Sequence, residues 1–483
     1  MCPDGFPSCA DPVSLQTEAI QRRVTPADLR VFIASCVAGL AGLLFGYDQG
    51  IISAALLTIE HSFPLSLFGK QAVAASMVAG ALLGCLIAGP ISDRWGRRPI
   101  VALAGLIFLL GSIGSGLAAS AWHLTGARFI LGIAVGGASQ IVPVYIAELA
   151  PASRRGRLVL MFQLAIVSGI LISSLIGWLL SGHAWALHLL GRGGDWRLMF
   201  FLGAVPALML LIGVSILPES PRYLAMRGQA AAAMRVLKRL RDPQAAPEDE
   251  MRDILNAASE TGNWRTLFSR RVRPALIAGA GLAMFSQMTG TNAVLTYAPT
   301  ILSGAGFGHN VALLTSLGMG IAITLATILG VWAVDHLGRR RLMLCVLPGS
   351  IFALFLLAAV FLHGDPQNAG RWLAIIGLLL YVLCTLGSIN AALWLVGAEI
   401  FPLSVRGKGM SLVTISHWSF DFLVSMVTLS IIAILGVSGT FLLFALITVS
   451  AWLFIYARIP ETKSRSLEAI EESLSNGTFL HHR

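Results

Sequence analysis

Asp48 and Arg128 are ionisable residues set inside long apolar stretches of the sequence. A charge in such surroundings is costly, and an opposite charge beside it offsets much of the cost. A carboxylate held by a guanidinium keeps its charge, whereas one released into an apolar cavity favours the protonated form. A pair that forms and breaks is therefore a proton switch. A pair that never breaks is a static ion pair, and both readings stand on these residues alone. Asp421 is a second acid of the same kind. His417 lies four residues before it, on the same helical face, with Trp418 alongside. His417 and Asp421 can bond each other, hold a ligand hydroxyl, or supply a second titratable site. The plain alternative is a satisfied interhelical pair. Two donors at this spacing are too few for a metal site, and no cofactor motif is present.

Uncharged polar residues interrupt the same apolar stretches: Gln163, Gln287, Asn292 and Asn390, with Trp394 nearby. An unpaired amide in lipid is costly, so each needs a partner, either a neighbouring helix or a substrate. Neutral donors and acceptors with an aromatic platform beside them would suit an uncharged ligand better than an ion.

The elements that carry these residues follow from composition. The 483 residues are 56% hydrophobic and only 12% charged, about half the charge of an ordinary soluble chain. Twelve segments reach the roughly 20 mostly apolar residues a spanning helix needs. They lie near 30–57, 70–91, 98–120, 122–149, 157–181, 196–217, 274–302, 310–334, 341–362, 372–400, 408–435 and 438–458, numbered here as spans 1 to 12. Backbone groups in lipid must be satisfied internally, so the segments are helices and the chain is an all-α membrane protein. Residues 1–29 read as a disordered tail, 30–217 as a six-helix bundle, 218–273 as a linker with short helices, 274–458 as a second six-helix bundle, and 459–483 as a tail.

The net charge of +10 is a topology signal. Of 34 Lys and Arg, 29 fall in the two tails and in the loops after spans 2, 4, 6, 8 and 10. This asymmetry places both termini in the cytoplasm of a multi-pass protein of the cell (inner) membrane, and it leaves nucleic-acid binding without support. The first residues lack the apolar core of a signal peptide. The six cysteines are scattered and form no ligand or disulfide framework.

The halves repeat. Asp93-Arg-Trp-Gly96-Arg97 after span 2 returns 242 residues later as Asp335-His-Leu-Gly338-Arg339. Glu148, followed by Pro151, Arg155 and Arg157, returns 251 residues later as Glu399, with Pro402, Arg406 and Lys408. Pro218-Glu219 returns as Pro460-Glu461. Ordered repeats mark a duplication, and duplicated bundles around a central site are a transporter architecture. Asp93, Arg97, Glu148, Arg157, Asp335, Arg339, Glu399 and Arg406 are then candidates for a symmetric cytoplasmic gate, with Glu148 beside Arg155 and Arg157 and Glu399 beside Arg406 and Lys408. The alternative is that they only anchor topology.

These motifs resemble the major facilitator superfamily. Pro218-Glu-Ser-Pro-Arg222 and the Pro460-Glu-Thr-Lys-Ser-Arg465 run resemble its sugar porter family, which includes proton–xylose symporters and facilitative glucose transporters. The resemblance runs from about Val31 to Glu468, with Ser464 replacing a usual glycine. It implies twelve transmembrane helices in two pseudo-symmetric halves, the major facilitator fold. Gly42-Leu-Leu-Phe-Gly46-Tyr47-Asp48 resembles the proton-coupled branch, so Asp48 matches the coupling acid and Arg128 its partner. Gln163, Gln287, Asn292 and Trp394 match sugar-contacting positions. Ser286, Thr296, Asn390, His417 and Asp421 occupy lining positions where the family usually has Gln, Tyr, Gly, Asn or Gln, and Asn. Substrate thus extends to polyols, inositols or sugar acids, and loss of Gly-Pro at Asn390-Ala391 alters how span 10 bends.

The resemblance implies proton-coupled symport of a monosaccharide or polyol by alternating access, by a chain acting as a monomer. A uniporter with a structural Asp48 is the competing reading. A sugar sensor would need a signalling appendage, and the tail after span 12 is short. No nucleophile–base arrangement or phosphate loop points to an enzyme.

Overall fold

The computed structural model describes residues 26–480, apart from 61, 152–153, 182–192, 242–246, 259–262, 365, 464 and 466. The expected tail up to residue 25 and Ser464 lie outside the described residues. Span 1 is Pro26–Ile59, starting on the proline with Asp28 in its first turn, so its first turn takes in residues that composition had assigned to the tail. Spans 2 to 6 are Leu67–Trp95, Arg97–Gly116, Ala121–Leu149, Arg155–Leu180 and Gly194–Val214. Spans 8 to 10 are His309–Leu337, Arg339–Val360 and Ala369–Glu399.

Ten described helices are long and apolar enough to cross a membrane. Two features raise the number of crossings to twelve. Arg406–Arg458 is broken at Gly436, where φ is 71°, and forms spans 11 and 12. Span 7 is split into Arg273–Met288 and Thr291–Gly304 at Gly290. Span 10 also departs from a regular helix: residues Leu386–Asn390 form a π turn, the irregularity that follows where Asn390-Ala391 stands. The architecture is the twelve-helix, two-half membrane fold read from the sequence.

Small residues set the close contacts. Spans 1 and 5 pack together, as do spans 2 and 4. A Cβ at Gly46 would overlap the Ile166 carbonyl, and one at Gly132 would overlap the Met77 carbonyl. Glycines spaced by four let helix backbones approach where lipid supplies no hydrophobic driving force. Large apolar side chains such as Leu110, Ile212, Phe352 and Ile434 face outward instead, a surface suited to lipid.

Short helices follow span 6. Ala230–Leu240 buries Ala233 and Leu237 against Ala225 and Met251. Arg241 ends this helix, binds Glu250 through two 2.7 Å bonds, and donates to Leu149 O at 2.7 Å. The linker is thereby tied to the end of span 4.

Candidate functional site

The close packing of span 2 on span 4 brings Arg128 beside Val73. Arg128 is fully buried and donates through Nε to Val73 O at 3.1 Å and through Nη1 to Asp48 Oδ1 at 3.1 Å. Its guanidinium stacks over the Phe200 ring of span 6, 5.4 Å from the centroid. Asp48 is 4% exposed. Asp48 Oδ2 and Arg128 Nη2 have no hydrogen-bond partner among the described residues. The pair expected from the sequence is therefore formed, held by one charge-assisted bond rather than a two-bond fork.

One residue on, Gln49 reaches across to the second half. Its Nε2 donates to Asn292 Oδ1 at 2.9 Å. Asn292 Nδ2 in turn donates to Gln287 Oε1 and to Asp421 Oδ2, each at 2.9 Å. Gln287 Nε2 lies 3.1 Å from His417 Nδ1. Ser425 Oγ donates to Asp421 Oδ1 at 3.4 Å. Helical geometry explains the alignment: His417, Asp421 and Ser425 are spaced by four on span 11. The break in span 7 does the rest. Gly290 has φ 88°, and Tyr381 OH donates at 2.8 Å to Thr289 O, occupying a carbonyl at the break. Gln287 and Asn292 thus approach span 11 from the two sides of one bend.

His417 and Asp421 share a face yet bond different partners, Gln287 and Asn292. Trp394, 36% exposed, packs on His417 with ring centroids 5.2 Å apart. Trp418 meets His417 edge-on and touches Phe45 of span 1 at 5.5 Å. Ser286 is buried and turned to its own helix, donating to Ala283 O at 2.7 Å. Thr296 is buried on the other side of the break. Asn390 sits at the end of the π turn with Nδ2 unpartnered among the described residues. Gln163 on span 5 is half-buried and stands outside the network around Asn292. Sequence reasoning missed Gln49, although an amide inside an apolar span was the signal used for Gln163. It also missed Ser425, which only its register with Asp421 reveals.

The family description Sugar (and other) transporter matches residues 34–474. The chain belongs to the sugar transporter family. The transporter is 36% identical over 437 residues to a D-xylose transporter of Levilactobacillus brevis, covering 90% of this chain and 94% of the relative. It is 35% identical over 445 residues to a major myo-inositol transporter of Bacillus subtilis, covering 90% and 93%. A solved structure of a major facilitator superfamily proton:xylose symporter bound to 6-bromo-6-deoxy-D-glucose superposes with TM-score 0.74 and 30% identity, covering 92% of this chain and 98% of that one. Such relatives are transporters, not enzymes.

The transporter carries the same charged cluster twice on the face with the basic loops. Arg97 donates to both Glu148 oxygens, at 3.2 and 3.4 Å, and to Asp93 at 3.1 Å. Glu219 accepts from the Arg97 backbone N–H at 3.0 Å. In the second half Arg339 donates to Glu399 at 3.1 and 2.8 Å and lies 3.5 Å from Asp335. Glu461 accepts from the Arg339 backbone at 3.0 Å. Glu148 and Glu399, at the ends of spans 4 and 10, therefore bond the arginines that open the preceding odd-numbered spans, 3 and 9. The expected neighbours are placed differently. Arg157 is exposed at the start of span 5 and makes no ion pair among the described residues, Arg155 donates to Ala147 O, and Arg406 donates to Phe401 O. The Gly96 and Gly338 turns, with φ 101° and 94°, place Arg97 and Arg339 against the glutamates.

Proposed function

We propose that the transporter carries a monosaccharide or polyol together with a proton across the cell membrane by alternating access, acting as a monomer with both termini in the cytoplasm. The observation that carries this reading is adjacency on span 1. Asp48 binds Arg128 of its own half, and the next residue, Gln49, bonds the Asn292 network of the other half.

Protonation of Asp48 weakens its hold on Arg128 and frees span 1 to shift. A shift of span 1 moves Gln49 and so alters the amides that hold sugar hydroxyls. Gln287, Asn292, His417 and Asp421 supply acceptors and donors, Trp394 supplies the aromatic face, and Gln163 and Asn390 carry amide groups available to a hydroxyl. Ser286 and Thr296 widen the lining where larger side chains are usual. Exchange of partners between Glu148 or Glu399 and the arginines of spans 5 and 11 would close the basic face. The distribution of Lys and Arg supports the orientation. The relatives' xylose and inositol support a polyhydroxylated substrate.

The test is uptake into proteoliposomes of xylose, glucose, polyols and inositols, with and without an inward proton gradient, for wild type and Asp48→Asn. Accumulation against a sugar gradient is expected in wild type, with downhill exchange alone in Asp48→Asn. Equilibration without accumulation in both proteins sinks the proton-coupled reading and leaves a uniporter. If none of the panel moves, sugar transport itself is the wrong reading.

A further inference from the structure

We propose that Asp421 is a second proton carrier, placed inside the sugar site of the second half, so that a proton and a sugar bind there together. The inference rests on the sugar-transport reading above and adds a proton site separate from Asp48.

Asp421 is 2% exposed and lies in the middle of span 11. Its two oxygens accept from Asn292 and Ser425, both neutral. No ion pair holds it among the described residues, in contrast to Asp48 with its arginine. His417, one turn away on the same helix, is engaged by Gln287. Spans 2, 7 and 10 pack on the helix that carries span 11, and span 9 packs on its span 12 part; all four carry their Lys, Arg, Asp and Glu residues only at their ends. Their phenols nearest the network, Tyr297 and Tyr381, donate to the Ser425 and Thr289 carbonyls. Across the halves, Asp48 is neutralised by Arg128. Asp421 is thus an acid at membrane depth with no fixed counter-charge, the setting in which binding a proton removes the largest cost.

The hydrogen bonds describe one end of the cycle. In the deprotonated form both Asp421 oxygens accept, from Asn292 and from Ser425. A proton arriving from water adds to Oδ2 and displaces the Asn292 N–H. The new O–H then donates to a sugar hydroxyl, and Asn292 Nδ2 is released to donate to another. When the site opens to the opposite side the same proton returns to water, and Asn292 regains the carboxylate. No bond other than O–H forms or breaks.

Sugar affinity must then fall as pH rises, because the form with the proton is the form that binds. Removing Asp48 must leave this dependence in place. The experiment is sugar binding to purified full-length protein across a pH series, using xylose, myo-inositol and glucosamine as probes. Wild type, Asp48→Asn, Asp421→Asn, Asp48→Asn/Asp421→Asn and Asp48→Asn/His417→Gln are compared. Above the titration one linked proton gives about a tenfold loss of affinity per pH unit. That slope is expected in Asp48→Asn and in Asp48→Asn/His417→Gln and is expected to vanish in Asp48→Asn/Asp421→Asn. Binding that is independent of pH in Asp48→Asn overturns the proposal while leaving sugar transport intact. A slope present in Asp48→Asn but lost in Asp48→Asn/His417→Gln moves the proton to the histidine and overturns it too. Preference for glucosamine over neutral sugars without a pH slope would mean that the missing positive charge comes from the substrate, and also overturns it. If the variants at Asp421 do not fold, the slopes of Asp48→Asn and Asp48→Asn/His417→Gln still decide. No binding or uptake of any probe is instead a failure of the sugar-transport reading.

Discussion

Arg128 is held by Asp48, Val73 O and the Phe200 ring, so its neighbours are unequally dependent on it. Replacing it with leucine strands the Asp48 carboxylate in an apolar site, a loss of about 3–5 kcal/mol for a buried pair broken on one side. Asp48→Asn leaves the guanidinium its carbonyl and ring contacts. Arg128→Leu should therefore melt well below Asp48→Asn in detergent, and equal melting of the two variants would show that the pair is not the stabilising feature. These residues were legible because a charge inside an apolar run is rare. Gln49 was not, because an amide beside a charge draws no notice of its own. Its importance lies in a partner 243 positions away, and spacing along one strand of sequence cannot report a contact between halves. The same blindness applied to Glu148, whose nearest arginines in sequence are not the one it bonds.

At the scale of elements, hydropathy counts apolar residues and does not register where a helix stops. Span 7 therefore read as one segment from 274 to 302, although Thr289-Gly290-Thr291 divides it. The departure at Asn390-Ala391 announced altered bending in span 10 but not the π turn at Leu386–Asn390. The division of span 7 makes a specific demand on Gly290. An alanine there pays about 1–2 kcal/mol for positive φ, and its Cβ would stand 2.7 Å from the Phe444 ring. Gly364 also has positive φ, 97°, but no atom within 4 Å of an added Cβ. Gly290→Ala should thus lower the melting temperature more than Gly364→Ala and also weaken sugar binding, since the bend aims Gln287 and Asn292 at span 11. Equal melting shifts with unchanged sugar affinity would mean that the bend does not set the site.

For the whole molecule the duplication was legible and its use was not. Repeated motifs gave two halves, and the structure shows each half closing its own cluster: Asp93, Arg97, Glu148 and Glu219 in one, Asp335, Arg339, Glu399 and Glu461 in the other. Hydrogen bonds between halves follow no repeat: Gln49 to Asn292 at the centre, Gln71 to Ser430 at 2.8 Å toward the opposite face, and Gln140 to Ser411 at 3.4 Å toward the basic face. Each half is thus tied at its basic end, and among the described residues the hydrogen bonds that join the halves are neutral, the condition for one bundle to rock against the other. If the clusters take part in that rocking, removing either arginine changes how fast the transporter turns over without touching the amides around the sugar. Arg97→Gln and Arg339→Gln should each slow uptake by roughly tenfold, the effect of about 1.4 kcal/mol on a conformational step, with KM nearly unchanged. The duplication requires the two defects to be alike. A fall in melting temperature with normal turnover in the surviving protein would reduce both clusters to anchors. A defect confined to one variant would mean that the gate is not symmetric, whatever the sequence repeats.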